Sequence, residues 1–153
     1  MTHRELCIIA SKYLKYQGIV PFNRCSYVVC ELERIGESPD AFGVSSGQTQ
    51  LIEVKVSRSD FLSDKKKHWR KYSHYGLGMY RSYLCPDGLI FENELPNCWG
   101  LLYVNESCNV RVIKFPKEQV SCHVSELRVL QSLLRREGVK PQIFSYKKYK
   151  TDK

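Results

Sequence analysis

Pro39-Asp40, followed after twelve residues by Glu53-Val54-Lys55, constrains this chain more than any other stretch. Residues 40–44 form a short run that is apolar after its acid, and residues 45–48 (Ser-Ser-Gly-Gln) have the composition of a turn. Residues 50–56 (Gln-Leu-Ile-Glu-Val-Lys-Val) are rich in β-branched side chains, which suits a strand. Successive strand side chains alternate faces, so Glu53 and Lys55 point to one side while Ile52, Val54 and Val56 point to the other. A hairpin over the two runs returns Asp40 to the side of Glu53. Two carboxylates and an ammonium then gather on one face of an otherwise apolar pair of strands.

Those residue types suit a hard divalent cation. Mg²⁺, or Mn²⁺ in its place, prefers oxygen and is commonly held by one or two carboxylates together with water and phosphate oxygens. Asp40, Glu53 and the Val54 carbonyl supply three candidate ligands. A cation there activates water and offsets charge developing on phosphorus oxygens. Lys55 is placed to orient the attacking water or to stabilise the same charge. The expected chemistry is phosphodiester hydrolysis. For an isolated Glu-x-Lys the plainer reading is a solvated ion pair on an exposed sheet face, and the Pro-Asp at hairpin distance weighs against it.

The pattern resembles the PD-(D/E)XK nuclease superfamily. The resemblance extends past the motif through Ser57-Arg58, Asp60-Phe61, Asp64 and Lys66, then through RSYLCPDGLI and LPNCWGLLYV. In this run the chain is similar to MmcB-like proteins, a bacterial branch linked to DNA repair, over roughly residues 26 to 115. The resemblance implies a restriction-endonuclease-like α/β core, a mixed central sheet flanked by helices. It also implies Asp40 and Glu53 as metal ligands and Lys55 as the catalytic lysine. Many members of the superfamily add a glutamate from the first helix. Glu5 is the candidate for that role, in competition with a capping role at the start of the same helix.

The chain has 153 residues and a formal net charge of +8. Its length suits one domain, assigned to 1–145, that buries about 70% of its unfolded surface; residues 146–153 form a basic, aromatic tail. An excess of positive charge favours a polyanionic partner, with DNA expected. No apolar run approaches the roughly 18 residues of a membrane span. The N-terminus lacks the apolar core of a signal peptide, so a cytoplasmic location and no membrane partner are expected. The seven cysteines contain no C-x-x-C pair, and buried, reduced thiols are the expected state. Cys122-His123 offers two zinc-ligand types without a matching second pair.

In chain order, Thr2 and Glu5 form a capping box ahead of an amphipathic helix carrying Leu6, Ile9, Tyr13 and Tyr16, which stops near Gly18. Residues 19–22 suit an edge or loop because of Pro21, and 26–34 read as the first main strand. A helix is expected over 59–74, capped by Ser57 or Ser59, with Leu62, Trp69 and Tyr72 as its apolar stripe. Arg58, Lys65, Lys66, Lys67, Arg70 and Lys71 crowd this helix or its start. Set directly after the acidic motif, they form a candidate phosphate-backbone clamp, with Arg58 and Lys65 nearest the scissile phosphate. The alternative is a solvated charged face. Strands follow at 79–85, 99–104 and 110–115, with Trp99 in the core. A last helix over 121–136 carries the stripe Val124, Leu127, Leu130 and Leu134.

The function these features support is a metal-dependent DNA nuclease in a repair, phage or mobile-element setting. Two alternatives belong to other classes: a non-catalytic nucleic-acid-binding or adaptor protein on the same fold, and an interaction module whose basic helix docks on an acidic partner. Cutting both strands of a duplex calls for two sites, which makes a homodimer one expectation that no residue pattern fixes.

Overall fold

The computed structural model describes residues 1–21, 23–32 and 36–139. The basic tail at 146–153 and the expected strand end at 33–34 lie outside the described residues. Thr2 caps α1 (His3–Tyr16) by accepting the Glu5 N–H, and the Glu5 carboxylate accepts the Thr2 N–H at 2.7 Å, closing the box. Gly18 ends the helix at φ +79°. A Cβ there would lie 2.1 Å from the Asn23 carbonyl oxygen, so this close turn accepts only glycine.

Six strands follow in the order in which they pair: β1 (Tyr27–Cys30), β2 (Ala41–Ser45), β3 (Gln48–Val54), β4 (Tyr80–Pro86), β5 (Gly100–Val104) and β6 (Val110–Lys114). The pairs β1–β2, β2–β3 and β5–β6 are antiparallel, whereas β3–β4 and β4–β5 are parallel. The architecture is therefore α/β, a mixed sheet flanked by helices, as expected. The hairpin turn is Ser46-Gly47, with both residues at positive φ. Such a two-residue turn matches the twist of the strands it joins. It starts β3 two residues earlier than its β-branched run suggests.

Each sheet face carries a core. On one, Leu6, Cys7, Ala10 and Leu14 of α1 pack on Ile52, Val54, Leu84 and Leu102. On the other, Leu51, Tyr83, Trp99 and Leu101 pack with Phe61, Leu77 and Val129. Trp99 is core, as its sequence context suggests. Buried Arg81 holds the loops beneath this second face, donating to the carbonyls of Ser73, Gly76, Gly78 and Val120.

Two helices differ from expectation. The long helix over 59–74 is broken into α2 (Arg58–Asp64), α3 (His68–Lys71) and a 3₁₀ turn at Ser73–Tyr75. Its core residue is Phe61, while Leu62 and Tyr72 are exposed. The last helix, α4 (His123–Arg136), is rotated: Glu126 and Val129 are buried, and Val124, Leu127 and Leu134 face outward. Glu126 sets that rotation by accepting from the Thr49 hydroxyl at 2.7 Å and the Gly78 N–H at 3.0 Å. A buried carboxylate has to keep such partners.

Candidate active site

β2 and β3 pair with Ala41 opposite Ile52, which sets Asp40 across from Glu53 one step beyond. The Asp40 carboxylate accepts the Val54 N–H at 2.8 Å and stands 3.3 Å from His3 Nε2 of α1. Its charge contributes to the environment of Glu53. The Lys55 N–H donates to the Leu84 carbonyl at 2.9 Å, one residue beyond the end of β3. This keeps the Lys55 side chain on the Glu53 face, where Nζ lies 3.5 Å from Glu53 Oε2. The hairpin thus sets the three motif residues at neighbouring positions, and the Glu53 and Lys55 side chains are each only 3–4% exposed.

What surrounds them is a buried charge network that joins four parts of the chain. Arg70 sits at its centre, with Nε 2.7 Å from Asp64 Oδ2 and Nη2 3.1 Å from Glu53 Oε2, and with Nη1 on the Glu37 carboxylate. Its guanidinium lies over Trp99, 4.8 Å from the ring centroid, and Trp99 stacks on Tyr83. The Tyr83 hydroxyl donates to Asp64 at 2.8 Å, and the Leu77 N–H donates to Glu37. Lys55 also faces Asp64 at 3.5 Å and Asp60 at 3.9 Å, and Lys67 reaches Asp64 at 2.8 Å.

This network explains the broken helix. In a continuous helix, residues six apart lie about 120° apart around the axis. Asp64 and Arg70 could not then meet in a bidentate pair. The break across residues 65–67 turns Arg70 inward onto the acid. Arg70 is consequently not part of a phosphate clamp: its side chain is 1% exposed and fully engaged. Asp64, Glu37 and Tyr83 are site components that the motif reading did not single out. Asp64 stands in the run that resembles MmcB-like proteins, and that position was the available signal.

Glu5 is not brought to the site. His3 and Cys7 are four apart on the face of α1 turned to Asp40, and Glu5, midway between them, points the opposite way. Its exposed carboxylate serves the helix cap. The remaining cations stay at the surface. Arg58 forms a two-pronged pair with Glu94 at 2.5 and 2.7 Å, and Lys65 donates to the Glu94 carbonyl at 2.8 Å. Both are thus turned toward the loop between β4 and β5. Lys66 and Lys71 are exposed, and Lys71 lies over Tyr72. Beside them, His68, Tyr72, His74 and Tyr75 form an exposed ring cluster with centroids 4.2 to 6.4 Å apart.

The electrostatics divide the acids. Burial opposes ionisation of Asp64, but the charge and hydrogen bonds of Arg70, then Lys55 and Lys67, hold it well below the usual carboxylate range. Burial alone would depress the Lys55 ammonium; Glu53, Asp64 and Asp60 override it and raise it. Lys55 is therefore a fixed cation, suited to orienting or stabilising charge and unsuited to accepting a proton. Glu53 goes the other way: burial pushes it up to about 8, with Arg70 opposing and Asp40 adding to the rise.

The donor set fits a hard cation. Glu53 Oε1 is buried and has no hydrogen-bond partner among the described residues, a costly state for a carboxylate oxygen. Around Glu53 stand four further carboxylates (Glu37, Asp40, Asp60 and Asp64) and the cations Lys55, Lys67 and Arg70, with Arg81 within electrostatic reach of Glu37 and Arg70.

None of the cysteines is paired. Cys122, at the N-cap of α4, has its thiol lowered from its ordinary value, first by the Ser125 hydroxyl and then by backbone N–H groups, with burial opposing. Burial pushes Cys25 up to about 11 and Cys85 up to about 12. In mass-resolved alkylation of the native protein at pH 7, Cys122 is expected to label before Cys25 and Cys85 by at least tenfold. Equal rates would show that the cap does not activate it.

No family model matches the chain, and no curated protein matches it. Among solved structures, a protein of unknown function from Silicibacter pomeroyi is 24% identical, with a TM-score of 0.49, over 77% of this chain and 84% of that one. Among the described residues, no helix is long and apolar enough to cross a membrane.

Proposed function

We propose that this protein is a divalent-metal-dependent nuclease that hydrolyses phosphodiester bonds of DNA, on a restriction-endonuclease-like core of the PD-(D/E)XK type. The observation that carries the reading is the unpartnered buried oxygen of Glu53, set beside a fixed Lys55 cation and across the hairpin from Asp40. Asp40, Glu53 and the Val54 carbonyl would hold the Mg²⁺ or Mn²⁺, which supplies activated water and charge neutralisation at phosphorus when bound. Lys55 holds a positive charge where the phosphate oxygens become more negative. Arg70 and Asp64 fix the rotamers of Glu53 and Lys55, so the site needs little reorganisation. The exposed Lys66 and Lys71 contact the phosphate backbone, and the Tyr72–Tyr75 ring cluster provides a stacking surface for unpaired bases.

The test is cleavage of labelled single-stranded, double-stranded and branched DNA with Mg²⁺, Mn²⁺ or EDTA. Cutting is expected with metal and not with EDTA, and Asp40→Ala and Lys55→Ala should each lose it on the order of 10²-fold or more. Activity retained in both variants would remove the assignment. Lys66→Gln combined with Lys71→Gln should flatten the salt dependence of DNA binding by roughly 0.9 in slope for each phosphate no longer neutralised. An unchanged slope would take this surface out of the interface. The near-complete burial of Glu53 favours a second reading, a non-catalytic DNA-binding or adaptor protein. DNA affinity without metal-dependent cutting would support it.

A further inference from the structure

His3, Cys7 and Glu31 form a separate cluster whose ligand atoms all lie within 4.8 Å of one another. His3 and Cys7 are one turn apart on α1, so both project from the same face. Cys7 Sγ is 3.4 Å from His3 Nδ1 and 4.0 Å from Nε2. On a tetrahedral zinc, with Zn–S near 2.3 Å and Zn–N near 2.1 Å, the sulfur and nitrogen ligands stand about 3.6 Å apart. The Sγ–Nδ1 separation is close to that value, with the sulfur lying beside the ring, so the imidazole has to turn about its Cβ–Cγ bond for Nδ1 to share an ion with it. Glu31 joins from the end of β1. Its N–H donates to the Asp40 carbonyl, and its φ is +48°, a conformation a non-glycine residue seldom adopts. A cavity of about 190 Å³, lined by His3, Glu31, Leu32, Ser38, Pro39 and Asp40, opens beside the cluster.

The far nitrogen of the imidazole adds an independent observation. His3 Nε2 lies 3.3 Å from Asp40 Oδ1. A metal-bound histidine almost always donates its other ring N–H to a carboxylate or carbonyl, which fixes its tautomer and raises its basicity as a ligand. With Nδ1 the nitrogen nearer the thiol and Nε2 beside the carboxylate, Asp40 is placed to take that outer role. The same three side chains have the order of a Cys–His–Asp catalytic triad, but Cys7 is fully buried and cannot reach a substrate. A thiol, an imidazole and one carboxylate also make a softer donor set than the all-oxygen set of Asp40, Glu53 and Val54. They select zinc or a similar borderline transition metal rather than magnesium.

We propose that His3, Cys7 and Glu31 form a binding site for a zinc-like divalent transition metal, with Asp40 as the outer carboxylate that orients His3. Three protein ligands leave the fourth position to water or to a substrate group. The site is distinct from the magnesium-type donor set and does not depend on the nuclease reading. Asp40 stands between the two, so occupation of one is felt at the other.

The experiment is a titration of the reduced 153-residue chain with Co²⁺, followed by visible and near-ultraviolet absorption and by competition with Zn²⁺. Binding of one equivalent with tetrahedral d–d bands and a thiolate-to-cobalt charge-transfer band is expected, and Zn²⁺ should displace it. Cys7→Ser should abolish the charge-transfer band. His3→Gln, a substitution at a half-exposed position that the fold tolerates, should weaken binding by at least 10²-fold. Asp40→Asn should keep the band and weaken binding 10- to 100-fold. Absence of the band in the wild-type protein, or a band of unchanged intensity and affinity in Cys7→Ser and His3→Gln, would overturn the proposal, the latter by assigning cobalt to another cysteine. DNA cleavage by Mg²⁺ in a protein without the cobalt band would overturn this site and leave the nuclease reading standing.

Discussion

Arg70→Met is expected to lower the melting temperature by about 10 °C. The guanidinium uses Nε for Asp64, Nη1 for Glu37 and Nη2 for Glu53, all beneath the surface. Removing one partner of a buried pair leaves uncompensated charge and costs about 3–5 kcal/mol. In a protein of this size, each kcal/mol moves the midpoint by about 2–4 °C. Arg70→Lys should recover little of the loss, since one ammonium cannot present three donors along three fixed directions. Thermal melts of the two variants at pH 7 check this. A midpoint within 2 °C of the wild type would mean that the acids are held by something other than Arg70.

Glu53→Gln has the opposite signature: cleavage falls on the order of 10²-fold or more, while stability holds or rises. The sign follows from the raised pKa. A carboxyl that titrates near 8 in the folded chain, against an ordinary value of 4.5, favours the fold when protonated. That contribution is complete below about 4.5 and is lost as pH climbs toward 8. Glutamine is never ionised and loses nothing over that interval. The melting-temperature difference in favour of Glu53→Gln should therefore be small at pH 4.5 and reach a few degrees at pH 8. A variant that melts well below the wild type at pH 8 would show that the Glu53 charge is a structural asset, and would count against its assignment as the metal ligand.

The hairpin was legible because its signals are local. A Gly-containing turn lies between two apolar runs, and strict alternation in β3 sends Glu53 and Lys55 to one face. The burial of Arg70 was not legible. In the sequence it is one of six cations in a basic stretch, and nothing nearby states that the helix breaks before it. The break is enforced by Asp64, Glu37 and Glu53, two of which lie far from Arg70 in the chain. The stripe of α4 was misplaced for the same reason. Val124, Leu127 and Leu134 have the apolar pattern, yet a hydrogen-bonded acid, Glu126, decides which side faces the sheet. His3 carried no helical or strand signal, and only the approach of α1 to the start of β2 gives it a neighbour in Asp40.

Because the strands pair in the order in which they occur in the chain, the sheet can grow at one edge as the polypeptide emerges during synthesis. The β2–β3 hairpin can close as soon as residue 54 is available. Glu53 then has Lys55 beside it, while Glu37 waits for Arg70, and the whole site waits for the wall of Tyr83 and Trp99 that arrives later still. The buried charges of the site are thus complete only once the chain has been made as far as Trp99.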